Sequence, residues 1–150
     1  MPPLSAARFF FYGTLADPAV NRISRLIHAQ LRPLGPARMR GALYGIGQRQ
    51  GWYPALVFGD GLVQGQLFAA AAGFGERDLA RIDAYEDFTP GNPDASLYVR
   101  ELCPVTADDG QEQPALAYRY NQPLPKRARP IPGGDFAAWL AQEGLRAFGG

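Results

Sequence analysis

The chain has 150 residues, the size of one domain with a single core, and at 47% hydrophobic and 19% charged it is too apolar to be disordered. No apolar run reaches the roughly 18 residues a membrane helix needs. Fifteen basic against 14 acidic side chains leave a net charge of +1 with no field for steering polyanions, so neither membrane nor nucleic acid is expected as a partner. One cysteine, Cys103, and one histidine, His28, exclude an internal disulfide, a cysteine- or histidine-based metal centre and a Ser/His or Cys/His nucleophile. Chemistry must rest on carboxylates, hydroxyls and backbone groups, with no metal or cofactor. Met1 to Arg8 lacks the features of a secretion signal, which makes the cytoplasm the expected location.

Taken in chain order, Arg8 to Tyr12 is a first strand, a continuous apolar run of the kind buried on both faces and stopped by Gly13. A helix is expected next. Asp17 suits its N-cap and Pro18 its first position, and Val20, Ile23, Ile27 and Leu31 recur on one face until Pro33 and Gly35 end it. Between Ala37 and Phe68 the pattern predicts three or four strands: Arg38 to Tyr44, Gly47 to Gln50, Ala55 to Phe58, and Leu62 to Phe68. Gly59-Asp60-Gly61 reads as a tight hairpin turn. A second helix is predicted from Gly75 to Tyr85. After the turn-rich Pro90 to Asp94, strands at Ser96 to Thr106 and Gln113 to Asn121 are joined at Asp108-Asp109-Gly110. An extended proline-rich connector at 122–134 then leads over the surface to a short helix near Asp135 to Leu145 that packs Phe136, Trp139 and Leu140. Six or seven mostly hairpin-linked strands with two or three helices over a single domain, residues 1–150, argue an α+β domain or a small β-barrel with peripheral helices.

Two constellations carry chemistry. In Phe11-Tyr12-Gly13-Thr14-Leu15 a buried strand ends at a glycine before a helix, and backbone N–H groups freed by such a turn can converge on an anion. A lone glycine also serves a mere sharp turn, so this loop alone does not specify a site. In the helix Leu79-Ala80-Arg81-Ile82-Asp83-Ala84-Tyr85-Glu86, Leu79 and Ile82 define the core-facing stripe. Glu86 falls on that same stripe, while Arg77, Arg81 and Ala84 take the opposite face. A carboxyl held in apolar surroundings has a raised pKa and can both accept and donate a proton near neutrality. The alternative is that the helix ends before Glu86 and the side chain turns to water or binds an arginine. Glu76, Glu112 and Glu143 read as solvated.

From Phe9 to about Trp139 the chain resembles the γ-glutamylcyclotransferase-like proteins, including the γ-glutamylamine cyclotransferase and plant AIG2-like branches. The resemblance is carried in order by Tyr12-Gly13-Thr14-Leu15, Tyr53-Pro54-Ala55-Leu56-Val57, Val63-Gln64-Gly65-Gln66-Leu67-Phe68, Ile82-Asp83-Ala84-Tyr85-Glu86-Asp87-Phe88, Tyr98-Val99-Arg100 and Ala117-Tyr118-Arg119-Tyr120-Asn121. It implies a small mixed β-barrel with helices alongside, Glu86 as the acid/base, and a loop Tyr12 to Leu15 that holds the α-carboxylate and α-amine of a small-molecule γ-glutamyl substrate. The implied reaction closes that substrate to 5-oxoproline and releases an amine, without water or metal. Tyr118 is a lesser candidate for the pocket wall, since a buried tyrosine is more often core than ligand. Beyond Asn121 the segment matches bacterial-type members better than the animal glutathione-pathway branch, which leaves γ-glutamyl amines, polyamine adducts and side-chain isopeptides all open as substrates.

Two other classes compete. A non-catalytic ligand-binding or regulatory module on the same fold would keep the pocket without turnover, although an unpartnered buried Glu86 is then hard to sustain. An interaction protein would use Lys126 to Arg129, a cluster that reads more simply as a solvated connector. His28 reads as a partly exposed structural residue one step off the apolar stripe, and Cys103 as a small buried hydrophobe. Oligomeric state is not readable from the sequence.

Overall fold

Three consecutive phenylalanines, each contributing about 1.5–3 kcal/mol when fully buried, make the first strand the natural centre of a sheet covered on both sides. In the computed structural model, which describes residues 3–18 and 20–148, β1 (Arg8–Phe11) places Phe9, Phe10 and Phe11 at 0–2% exposure. The strand stops one residue before Tyr12. It pairs antiparallel with β3 (Gly51–Ala70) and parallel with β5 (Glu112–Tyr120). β5 continues antiparallel to β4 (Tyr98–Ala107), β4 to β2 (Leu31–Gln48), and β2 to β3, which closes a five-stranded mixed barrel. A sixth strand, β6 (Arg129–Pro130), lies within the proline-rich connector and adds to β2 at Tyr44 and Gly45. Alternate β1 side chains serve two cores. Phe10 and Tyr12 join residues from all five barrel strands together with Phe136 and Trp139, whereas Phe9 and Phe11 pack with Ile27, Leu79 and Ile82 of the first two helices.

The first helix is shorter and later than the periodicity predicts. α1 (Arg22–His28) is capped by Asn21, whose Oδ1 accepts from Ser24 N–H at 2.8 Å while Ser24 Oγ accepts from Asn21 N–H at 3.2 Å. This reciprocal cap outcompetes Asp17-Pro18. Only Ile27 of the expected stripe is buried within α1; Ile23 is 43% exposed, and Leu31 belongs to β2.

The Gly59-Asp60-Gly61 hairpin is also absent. Residues on both sides of it pair with β2, Val57 with Ala42 and Leu62 with Arg40, so the chain bulges here without reversing. Gly59 permits the close approach, since a Cβ there would lie 2.7 Å from Ala42 Cβ. The reversal falls instead at Arg49-Gln50, between strands of 18 and 20 residues. Four short predicted strands are therefore two long ones. Gly51, at φ +136°, lets the C-terminal segment approach, where Trp52 N–H donates to Arg146 O and Phe148 N–H to Trp52 O.

The later elements form as expected. α2 (Glu76–Tyr85) is capped by Gly75, whose N–H donates to Asp78 Oδ2 at 2.9 Å, and α3 (Phe136–Glu143) by Asp135. Among the described residues no helix is long and apolar enough to cross a membrane.

Candidate active site

Beyond Phe11 the chain leaves the sheet through Tyr12 and Gly13 into a single 3-10 turn, Thr14–Ala16. The N–H groups of Ala16 and Asp17 turn back onto Gly13 O and Thr14 O. Those of Gly13, Thr14 and Leu15 meet no acceptor among the described residues. Gly13 is needed for room, because a Cβ there would stand 2.8 Å from Pro54 Cγ. Thr14 Oγ1 lies 2.9 Å from Tyr85 OH, and Asn21 Nδ2 donates to the same hydroxyl at 3.1 Å. With Asn21 as donor, the Tyr85 hydrogen is left for Thr14, which ties the loop to the end of α2.

α2 ends at Tyr85 and not beyond Glu86, yet Glu86 keeps the inward line of the helix. Its N–H still donates to Ile82 O at 3.0 Å. Asp87 then takes a left-handed conformation at φ +54°, with Asp87 N–H donating to Ala84 O and Phe88 N–H to Asp83 O. Those two bonds are the Schellman pattern of helix termination. Leu79 and Ile82 are buried beneath, so the stripe delivers Glu86 to a cavity of about 640 Å³.

The cavity brings Tyr12, Gly13, Thr14, Glu86 and Tyr118 together with Tyr53, Pro54, Tyr85, Asp87 and Tyr98. Leu15 is not among its lining residues: its side chain is in the core and its carbonyl lies 2.6 Å from His28 Nε2. His28, half-buried and edge-on to Phe68, is held below its ordinary pKa by burial. Cys103 is half-buried, not fully buried as expected, on β4.

Three tyrosines surround the Glu86 carboxyl, and each hydroxyl donates elsewhere. Tyr12 OH donates to Tyr118 O at 2.5 Å, Tyr98 OH to Pro54 O at 2.6 Å, and Tyr118 OH to Asp83 Oδ1 at 2.5 Å. The Glu86 carboxyl has no hydrogen bond or ion pair among the described residues and remains open to the cavity. Its ionised form is thus poorly solvated, and desolvation pushes its pKa from 4.5 to about 8. Burial, with the nearby Glu86 charge a lesser cause, also holds Tyr12 and Tyr98 well above the ordinary phenol value. A carboxyl poised in this way can hold a proton near neutrality and exchange it with a bound molecule. Unbonded N–H groups on the adjoining loop offer an anion a place to rest. Among the described residues, no group of three or more His, Cys, Asp or Glu side chains is arranged to hold a metal ion.

Sequence reasoning assigned no role to Asp83, Arg100, Tyr98, Tyr85 or Pro54. Asp83 carried a signal, since it stands three residues before Glu86, but burial of its charge depends on Arg100 and Tyr118 from distant strands.

A family model described as gamma-glutamyl cyclotransferase, AIG2-like, matches residues 9–139. Among solved structures, the chain is similar to YkqA from Bacillus subtilis, with 24% identity and a TM-score of 0.65 over 93% of this chain but 42% of that one, so it spans less than half of that relative. It is also similar to an AIG2-like protein from Mus musculus (22% identity, TM-score 0.60, 81% of each chain). A gamma-glutamyl cyclotransferase is 15% identical, with a TM-score of 0.57 over 95% of this chain and 89% of that one. At these identities the likeness is one of fold. A comparison with curated proteins gave no match.

Proposed function

The chain belongs to the gamma-glutamyl cyclotransferase, AIG2-like family, and on that basis, with the geometry of the cavity, we propose that it cyclises a γ-glutamyl amine or peptide to 5-oxoproline. The observation that carries the reading is the unpartnered Glu86 carboxyl, with a pKa of about 8, facing the same cavity as the Gly13 and Thr14 main chain.

The substrate's α-carboxylate accepts from the N–H groups of Gly13 and Thr14, which line the cavity, and this sets its α-ammonium toward Glu86. An α-amino group titrates near 8, so proton transfer to a carboxylate of the same pKa is close to balanced. Glu86 takes one proton, and the neutral nitrogen attacks the γ-carbonyl carbon. A five-membered ring closes through a tetrahedral intermediate. The bond to the outgoing nitrogen then breaks as Glu86 returns its proton to that nitrogen; the freed carboxylate takes the second proton from the ring nitrogen and passes it to the departing amine, leaving 5-oxoproline and an ammonium ion. No water is consumed. Holding the substrate folded replaces a bimolecular encounter, an advantage worth effective molarities of about 10⁵–10⁸ M in well-oriented systems. The N–H groups of the turn also favour charge building on the γ-oxygen.

A cavity of about 640 Å³ exceeds the needs of the glutamyl head and leaves space for the outgoing amine beside Gln48, Arg49, Tyr53 and Phe148. The test is incubation of the purified protein with a panel of γ-glutamyl amines and peptides, with 5-oxoproline read by mass spectrometry and Glu86→Gln run in parallel. Release by the wild type and its loss in the variant support the reading. Saturable binding with no release across the panel would make the protein a ligand-binding module instead.

A further inference from the structure

The cap of α1 reaches the cavity, and its hydrogen bonds run in one direction. Ser24 N–H can only donate, so the side-chain atom of Asn21 that accepts from it at 2.8 Å is the oxygen Oδ1, and the amide nitrogen is turned to Tyr85. Asn21 Nδ2 donates to Tyr85 OH at 3.1 Å. A phenolic oxygen readily accepts one hydrogen bond and donates one, because part of its lone-pair density is drawn into the ring. With the acceptor side taken by Asn21, Tyr85 O–H donates to Thr14 Oγ1 across 2.9 Å. Thr14 Oγ1 is therefore the acceptor in that bond, and its own hydrogen meets no acceptor among the described residues. Asn21, Tyr85 and Thr14 all line the cavity that Glu86 faces. The N–H groups of Gly13 and Thr14 are likewise without a protein acceptor among the described residues, so main-chain and side-chain donors stand together on consecutive residues.

A hydroxyl beside an anion attracts it with a hydrogen or repels it with a lone pair, and one that rotates freely must be ordered on binding at an entropic cost. We infer that Asn21 and Tyr85 are positioning residues of this site, which relay the direction of the α1 cap to Thr14 so that its hydroxyl hydrogen is held for a bound carboxylate. That the carboxylate is the α-carboxylate of a γ-glutamyl compound rests on the cyclotransferase reading; the direction of the relay does not. The relay starts at a backbone N–H, which cannot reverse, and it joins the first helix to a loop and to the end of α2, the residue before Glu86.

The experiment reverses the relay without breaking the cap. Asparagine and aspartate cap helices about equally well, so Asn21→Asp keeps the bond from Ser24 N–H and puts an acceptor where Nδ2 donated. Tyr85 O–H then donates to the new carboxylate, Thr14 Oγ–H donates to Tyr85, and a Thr14 lone pair is left for the cavity. The probes are γ-glutamylmethylamide and its α-carboxamide analogue, titrated calorimetrically into the whole protein carrying Glu86→Gln so that neither is consumed. The readout is the ratio of the two Kd values, which a merely loosened site leaves unchanged because it weakens both probes alike. Asn21→Asp is expected to cut the preference for the carboxylate by about tenfold or more, as is Thr14→Val, the usual worth of one hydrogen bond to a charged group. Thr14→Ser keeps the hydroxyl and should stay within about threefold of the parent. Adding Tyr85→Phe to Asn21→Asp retains the new charge but cuts the relay, so the preference should recover by about threefold or more. No recovery means that the charge acts directly, and overturns the inference. An unchanged ratio in Asn21→Asp, or no binding of γ-glutamylmethylamide to the parent protein, also overturns it. If the ratios behave as expected and the protein with Glu86 intact releases no 5-oxoproline, the cyclotransferase reading falls and the relay stands. Release of 5-oxoproline with an unchanged ratio in Asn21→Asp removes the relay and leaves that reading intact.

Discussion

Glu86→Gln separates a desolvated acid/base from a structural carboxylate, because the two respond in opposite directions. The substitution keeps the shape and removes a charge that burial disfavours, since the folded protein holds this proton to about pH 8 against an ordinary 4.5. Between those values the folded state binds more protons than the unfolded chain, so stability falls as pH rises across the window. The contribution of the neutral acid is fully present below pH 4.5 and lost by pH 8. At pH 7 the gap from the unfolded value is about 2.5 pH units, an upper bound of about 3 kcal/mol. The glutamine amide must itself be desolvated, so a net gain of about 1–3 kcal/mol is expected, roughly 3–10 °C in Tm for a domain of this size. The gain should disappear at pH 4, where both states carry the proton. Turnover should fall by about 10²- to 10⁴-fold, the usual contribution of a positioned acid/base. Thermal melts at pH 4 and 8 and 5-oxoproline release are read on the same preparations, with Glu76→Gln, exposed at the start of α2, as control. A variant that loses stability at pH 8, or that keeps turnover within a few-fold of wild type, refutes the reasoning.

The pH profile of kcat/KM should be bell-shaped with both limbs near 8, because the productive complex holds one proton between Glu86 and an α-amine of similar pKa; a flat profile from pH 6 to 9 would contradict it. Gly13→Val meets Pro54 at 2.8 Å from its Cβ and so displaces the loop, and KM should rise by about tenfold or more in a variant that folds normally, a change read by steady-state kinetics. Asp87→Gly relieves a left-handed residue at the helix end and should stabilise the protein by about 0.5–1 kcal/mol in denaturant melts, after the extra chain entropy of glycine is subtracted. Turnover should survive EDTA, since no three- or four-residue ligand set is assembled among the described residues; loss of activity restored by a divalent ion would count against the mechanism.

Much of the site was legible in the sequence because it depends on local patterns. A run of apolar residues buried on both faces needs only its own composition to become a central strand, and Phe9 to Phe11 did. The inward aim of Glu86 follows from the 3.6-residue period that Leu79 and Ile82 establish, and it persists at Glu86 although α2 ends at Tyr85, as predicted. The Tyr12 to Leu15 loop was recognisable from the glycine that closes β1, but what requires that glycine is Pro54, which lies far away in sequence and close in space.

Pairing decided the rest. Gly59-Asp60-Gly61 has the composition of a hairpin turn, and nothing local distinguishes a reversal from a bulge; the outcome depends on β2 being long enough to pair with both flanks. Leu31 continued a helical period and became a strand residue because Ala70 stands opposite it in the barrel. The raised pKa of Glu86 has the same origin. Composition supplies a carboxyl near tyrosines, but only the assembled barrel directs the hydroxyls of Tyr12, Tyr98 and Tyr118 to a carbonyl, a second carbonyl and Asp83, leaving Glu86 with no donor of its own. A helical period is set by the backbone and can be read along the chain, whereas a missing hydrogen bond exists only once every competing acceptor has been brought into place.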